Sequence, residues 1–206
     1  MAFSETDARL DPLVDAAWSG SLILIVGAPV SIERRLHIGA FIVAPDRTVG
    51  LYTKRHLGAF GAGASRDGSV PPAEATVFHP GNRDPLVRLG GTTAAVAVCA
   101  DTGQPRHHQA AADRGASAYL ASMFVIPSEY EREAGNLEGA AARHRLVVAL
   151  ANYGGPSGGL ASGGRSAIWS ERGERLVQLE VAGTGVGIAT ATPAGWRAEA
   201  MMLDGR

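Results

Sequence analysis

Apolar and polar positions alternate along the chain with two periods. Leu10, Leu13, Val14, Ala17 and Trp18 fall at helical spacing, with Asp11-Pro12 as a start and Gly20 as a stop, which predicts an amphipathic helix. Residues 22–26 are continuously apolar and predict a strand ending at Gly27-Ala28-Pro29. Strands are also expected over 37–44 and 49–53, joined by a turn at Pro45-Asp46-Arg47. The Gly/Ala/Ser-rich stretch 58–72 predicts a long loop, of the kind that serves as a lid or mobile segment. Glu74 opens a short stretch, Thr76-Val77-Phe78, that stops at Pro80-Gly81.

The middle of the chain alternates strand and helix. Residues 86–89 and 92–101 predict two strands, the second built from small and β-branched residues and apolar on both faces, as a central buried strand is. A helix to about 114, a strand over 117–123, a polar helix from 128 to about 145 and a strand over 146–151 follow. A glycine-dense loop over 154–164 precedes strands over 165–169, 175–181 and 186–191. Strand–helix alternation flanked by hairpin-like pairs predicts an α/β fold: a mixed sheet with helices packed outside it. Neither repeats nor a linker break the chain, so residues 1–206 are expected to form one domain.

Composition narrows the function. A chain of 206 residues with 46% hydrophobic residues supports a substantial core. A formal net charge of −1 gives no electrostatic reason to expect a nucleic acid or an anionic membrane as partner. No apolar run approaches membrane-spanning length, and the start lacks a basic segment followed by an apolar one, so no leader is expected. One cysteine forms no internal disulfide, which suits a reducing cytoplasm.

Two residues stand out by their rarity. Lys54 is the sole lysine among 19 basic residues, and it lies at the exit of the strand 49–53. A lysine in a chain that otherwise uses arginine marks a place for a compact, tunable point charge; a chance surface lysine is the bland alternative. Cys99, the only cysteine, sits near the end of the strand 92–101, before Gly103 and Pro105. Backbone N–H groups and a helix dipole at such a turn favour thiolate; a small core hydrophobe is the alternative. A thiolate nucleophile needs a base, and positive charge or N–H donors where an oxyanion forms. Lys54 supplies the charge and the Ala100 N–H a donor.

The segments around these residues carry a resemblance. Tyr52-Thr53-Lys54-Arg55-His56-Leu57 matches a Tyr-Arg-Lys-x-His-Leu pattern, and Cys99-Ala100-Asp101 with Pro105 matches part of Cys-Tyr-Asp-x-x-Phe-Pro-Glu. Glu74, Phe78, Pro80 and Gly81 match Glu-x-x-x-Phe-x-Pro-Gly, and Ala151-Asn152 is followed by Gly164-Arg165-Ser166. Together they resemble the nitrilase, or carbon–nitrogen hydrolase, superfamily. The resemblance implies an α-β-β-α sandwich bearing a Glu-Lys-Cys triad, usually as a homodimer, with no metal or organic cofactor. It assigns Cys99 as nucleophile, Lys54 and Ala100 to the oxyanion, Glu74 to the support of Lys54 and as a fallback base, and Asn152 to the oxyanion or substrate-binding group. The implied activity is hydrolysis of a non-peptide carbon–nitrogen bond in a small amide, nitrile or N-carbamoyl substrate, through a thioester. A catalytically silent, truncated member acting as a binding or subunit protein is the alternative.

Departures from the pattern qualify what the resemblance implies. Ala100 replaces an aromatic residue and Arg106 stands where glutamate is frequent, changes that alter pocket shape. The superfamily's first glutamate follows a strand in a Phe-Pro-Glu pattern. Here Phe3-Ser4-Glu5 mimics it, but Glu5 precedes Lys54 by only about fifty residues, and an N-terminally shortened member lacking the first strand-helix-strand unit is expected. The other candidates have structural readings. His107 and His108 are adjacent in a helix and share no face, and no zinc spacing occurs among the histidines. Asp101 either orients the cysteine turn through backbone hydrogen bonds or, more simply, caps it, and Glu129 and Glu131 are first-turn acids.

Overall fold

A computed structural model of the protein describes residues 2–61, 64, 68 and 70–203. The first helix, α1 (Asp11–Gly20), begins with proline in its first turn and ends at Ser21, whose left-handed backbone lets its N–H reach the carbonyls of Ala17 and Trp18. Three strands follow as an antiparallel meander: β1 (Leu24–Ile32), β2 (Arg35–Val43) and β3 (Val49–Thr53).

The first of these strands runs through Gly27-Ala28-Pro29, where the sequence pattern predicts a stop. Pro29 is tolerated because its backbone faces away from β2: its carbonyl accepts from the Phe3 N–H at 2.8 Å on the outer side, so no ladder bond there needs the proline's absent N–H. Phe3 thereby forms a short parallel bridge beside Val30.

The second sheet has six strands in the order β4 (Val87–Leu89), β5 (Thr92–Val98), β6 (Ala118–Met123), β7 (Val147–Asn152), β8 (Ala167–Trp169) and β9 (Arg175–Gln178). The central three are parallel and the flanking ones antiparallel. Parallel neighbours need crossovers, supplied by α2 (Pro105–Asp113) and α3 (Tyr130–His144). A separate hairpin, β10 (Thr184–Thr192) and β11 (Gly195–Leu203), closes the chain. The strands expected from the sequence do not include β11, most of whose residues are exposed, with alternation confined to its first half.

The two large sheets pack face to face with helices outside, giving four layers. Strand alternation divides the side chains. Phe41, Val43 and Leu51 face α1 with Leu10 and Ala17, whereas Ala40, Ile42 and Tyr52 meet Val87, Ala94, Val96 and Ala118 of the second sheet. On the far side, Ala95, Ala97, Tyr119 and Val148 pack against Ala111, Tyr130, Leu137 and Ala141 of α2 and α3. The α-β-β-α sandwich is thus present, with three strands in its first sheet against six in its second. At one end of this double layer, β3 and β5 terminate side by side.

Candidate active site

Lys54 leaves β3 with its backbone fixed on both sides. Its N–H bonds to the Ile38 carbonyl at 2.8 Å, and its own carbonyl accepts from the Gly81 N–H at 2.7 Å. A Cβ at Gly81 would fall on the Thr53 side chain and 2.9 Å from its carbonyl carbon, so the Pro80-Gly81 segment fits against the Lys54 strand only without a side chain. The Lys54 side chain is 0% exposed, and its ammonium lies 2.6 Å from each oxygen of the Glu74 carboxylate. Glu74 is held in turn by the Gly58 N–H, 2.7 Å from its Oε2, and by its own N–H on the Gly58 carbonyl.

Cys99 occupies the turn between β5 and a single 3-10 turn, Cys99–Asp101, with a left-handed backbone at φ 49°. A side chain in that region carries strain of about 1 kcal/mol. The conformation is held by Thr102, whose N–H and Oγ1 both reach the Cys99 carbonyl, at 2.9 and 2.8 Å. The backbone N–H groups of Ala100 and Phe124 act on the sulfur in favour of its charged form.

Lys54, Glu74, Cys99 and Ala100 line one cavity of about 620 Å³, walled further out by the edge-to-face pair Phe60 and Phe124. The structure therefore brings the candidate lysine, carboxylate, thiol and oxyanion donor to one place. The electrostatic balance at the sulfur runs against the thiolate that its turn suggests. Burial pushes the Cys99 thiol up; Lys54 and the two N–H donors pull it back only in part, and Glu74 adds to the rise. A thiol raised in this way calls for a base to take its proton.

Asn152 departs from its expected place. Asn152 lines a different cavity. Its amide is spent on structure: Oδ1 accepts from the Val125 N–H at 2.9 Å and Nδ2 donates to the Gly164 carbonyl at 2.7 Å. It braces the backbone that follows Phe124 and offers no group to the Cys99 cavity. Glu5 pairs with Arg83, its side chain 45% exposed, and lies outside the lining of that cavity. Among the described residues, the carboxylates at the cavity wall are Glu74, Glu129 and Glu133.

Asp101 does more than cap its turn. It is fully buried and accepts from both strand ends. Oδ1 takes the N–H groups of Arg55 and His56, at 3.2 and 2.8 Å, and His56 Nδ1 at 3.0 Å. Oδ2 takes the Tyr52 hydroxyl at 2.7 Å and the Val98 N–H at 3.1 Å. Because the Tyr52 hydroxyl donates to Asp101, its oxygen is left to accept from His107 Nε2 at 3.1 Å, and His107 Nδ1 then accepts from the Tyr119 hydroxyl at 2.8 Å. That chain needs a neutral His107, and burial pushes its pKa below the ordinary histidine value accordingly. The Phe124 donor and the Tyr52–His107–Tyr119 chain carry no sequence signal, since they are made by contacts between residues tens of positions apart.

Among the described residues no group of histidine, cysteine and carboxylate side chains is arranged to hold a metal ion. Among the described residues no helix is long and apolar enough to cross a membrane.

A sequence profile described as carbon-nitrogen hydrolase matches residues 2–200. The chain belongs to the carbon-nitrogen hydrolase family. Its fold is similar to that of the NitN amidase from Nesterenkonia sp. AN1, with a TM-score of 0.73 and 27% identity over 85% of this chain and 66% of that one. A glutamate-to-glutamine variant of the Nesterenkonia amidase, carrying acrylamide added to its active-site cysteine, matches at 27% identity and a TM-score of 0.72, over 85% of this chain and 66% of that one. Saccharomyces cerevisiae Nit3, of branch 10 of the nitrilase superfamily, shares the fold at a TM-score of 0.73 and 16% identity, over 85% of this chain and 62% of its own. The chain thus spans just under two thirds of the length of these structures. The sequence matches no curated protein.

Proposed function

We propose that this carbon-nitrogen hydrolase family member hydrolyses a small amide, nitrile or N-carbamoyl substrate through a thioester on Cys99. For an amide, the Cys99 proton passes to Glu74 as the sulfur attacks the carbonyl carbon. The C=O π pair moves onto oxygen, and the Lys54 ammonium and Ala100 N–H stabilise that oxyanion. Collapse of the tetrahedral intermediate breaks the C–N bond, and the nitrogen leaves as ammonia or amine with the proton held by Glu74. Glu74 then takes a proton from water, which attacks the thioester; the acid departs and the thiol is restored.

The observation that carries this reading is the fully buried Lys54, bonded to a carboxylate and sharing one cavity with the only cysteine. A related amidase whose active-site cysteine adds acrylamide supports it. The test is ammonia release from a panel of amides, with intact-mass detection of an acyl adduct on Cys99. Cys99→Ala and Lys54→Arg are each expected to abolish turnover, and activity retained by either removes that residue from the mechanism.

The surface position of Glu5 favours a second reading, a catalytically silent binding or subunit protein. That reading requires neither ammonia nor acylation from any substrate in the panel. We also propose a homodimer, supported by the exposed apolar residues Val186, Ile188, Met201 and Met202 on the terminal hairpin; sedimentation equilibrium tests it. A reducing, cytoplasmic setting suits the single free thiol.

A further inference from the structure

We propose that Asp101 is a positioning residue, whose carboxylate fixes the approach of the Lys54 ammonium to the Cys99 sulfur by bonding the backbones that carry both. The inference rests on the hydrolase reading for its catalytic meaning, but its geometry is independent of any turnover. The donors that Asp101 collects come from two separate strand ends. Arg55 and His56 follow Lys54 directly, Tyr52 precedes it by two residues, and Val98 immediately precedes Cys99. One side chain therefore ties the exit of β3 to the exit of β5 next to each reactive residue.

The tie has no slack. A carboxylate presents about four lone-pair directions, and here two N–H groups and an imidazole crowd one oxygen while a hydroxyl and an N–H occupy the other. Asp101 is 0% exposed, so no water stands ready to replace a lost bond. The Tyr52–His107–Tyr119 chain, running into α2 and β6, holds the carboxylate from behind. The turn it anchors is the one that bears the left-handed Cys99. An acceptor on one oxygen alone cannot serve both strand ends, because an amide nitrogen in the other place turns a donor toward donors.

Lys54 and Glu74 are the charged groups that act on the sulfur, the first lowering and the second raising its pKa. A loosened Lys54 is therefore read directly by the thiol. The experiment measures the rate of Cys99 alkylation by iodoacetamide against pH, using intact mass, in the full chain and in variants whose folding is checked by circular dichroism. Asp101→Asn is expected to move the midpoint of the profile up by about one pH unit, hence to slow alkylation near neutrality about ten-fold. Tyr52→Phe removes a bond to the same carboxylate but keeps all the backbone ties; it is expected to lower the melting temperature and leave the profile in place. In a Lys54→Met background, Asp101→Asn is expected to add no further shift, because its effect travels through the lysine.

If Asp101→Asn does not accumulate folded, Asp101→Glu, which keeps the charge and displaces it by one methylene, gives the same comparison. An unchanged profile in the Asp101 variant overturns the proposal. So does an equal shift with Tyr52→Phe, or an additive shift on Lys54→Met; each makes Asp101 a core residue and nothing more. Ammonia release from wild-type protein is scored separately, so absence of hydrolysis refutes the proposed activity without touching this result.

Discussion

The Lys54–Glu74 pair makes an asymmetric prediction. Lys54 is 0% exposed and Glu74 is 29% exposed, so the two partners stand differently toward water. In Glu74→Leu the buried ammonium loses both of its 2.6 Å contacts, and the Gly58 N–H loses its acceptor. Removing one partner of a buried pair costs about 3–5 kcal/mol, because the remaining charge is stranded. For a chain of this size that lowers the melting temperature by roughly 10 °C. In Lys54→Met the carboxylate left behind keeps the Gly58 N–H and access to water, so the loss is smaller, about 1–2 kcal/mol. The double variant removes the stranded charge and replaces the pair by apolar groups of similar volume. It is expected to be more stable than Glu74→Leu alone, with a coupling energy of about 2–3 kcal/mol. Urea unfolding of the four proteins at one pH and salt concentration measures the cycle. If the single losses simply add in the double variant, or if Glu74→Leu is the milder single change, the reasoning about a desolvated ammonium is wrong.

Other expectations concern packing and pH. Burial, with His107, His144 and Arg143 nearby, holds the His108 pKa at about 4, and burial also lowers that of His107. Below the unfolded value of about 6.5 the unfolded chain binds protons that the native one refuses, so stability is full above that pH and declines down to about pH 4. The His108 contribution is on the order of 3 kcal/mol; a urea midpoint unchanged between pH 7.5 and pH 5 contradicts it. Gly81→Ala is expected to destabilise by about 2–4 kcal/mol and to reduce Cys99 reactivity, since the new methyl collides with Thr53 beside Lys54. Gly164→Ala places a methyl on the Val181 carbonyl at a φ of 53° and is expected to lower the melting temperature at least as much, as thermal denaturation reports.

The layers of the fold were legible because their signal is periodic and local. The alternation that puts Phe41 and Val43 on one face and Ala40 and Ile42 on the other is written in consecutive residues, and so is the run that becomes β5. The hairpin strand 195–203 was not, since most of it is exposed and its alternation covers only the first half. The site divides in the same way. Lys54 and Cys99 were visible through rarity and through motifs of adjacent residues, and Glu74 through its Pro-Gly partner segment. Asn152 was visible as a motif, but a motif reports that an amide is needed and not which carbonyl or N–H consumes it. The thiol's protonation state lies deeper still. A strand-to-helix turn argues for thiolate from local dipoles, whereas desolvation at the folded site pushes the thiol up and Lys54 offsets that only in part. The same burial that suppresses the thiolate strengthens each remaining charge in the cavity. On the proposed mechanism, reactivity at Cys99 depends on a carboxylate and an ammonium held at fixed separation, and the residues that fix them, Asp101 and Gly81 among them, bear on chemistry they do not themselves perform.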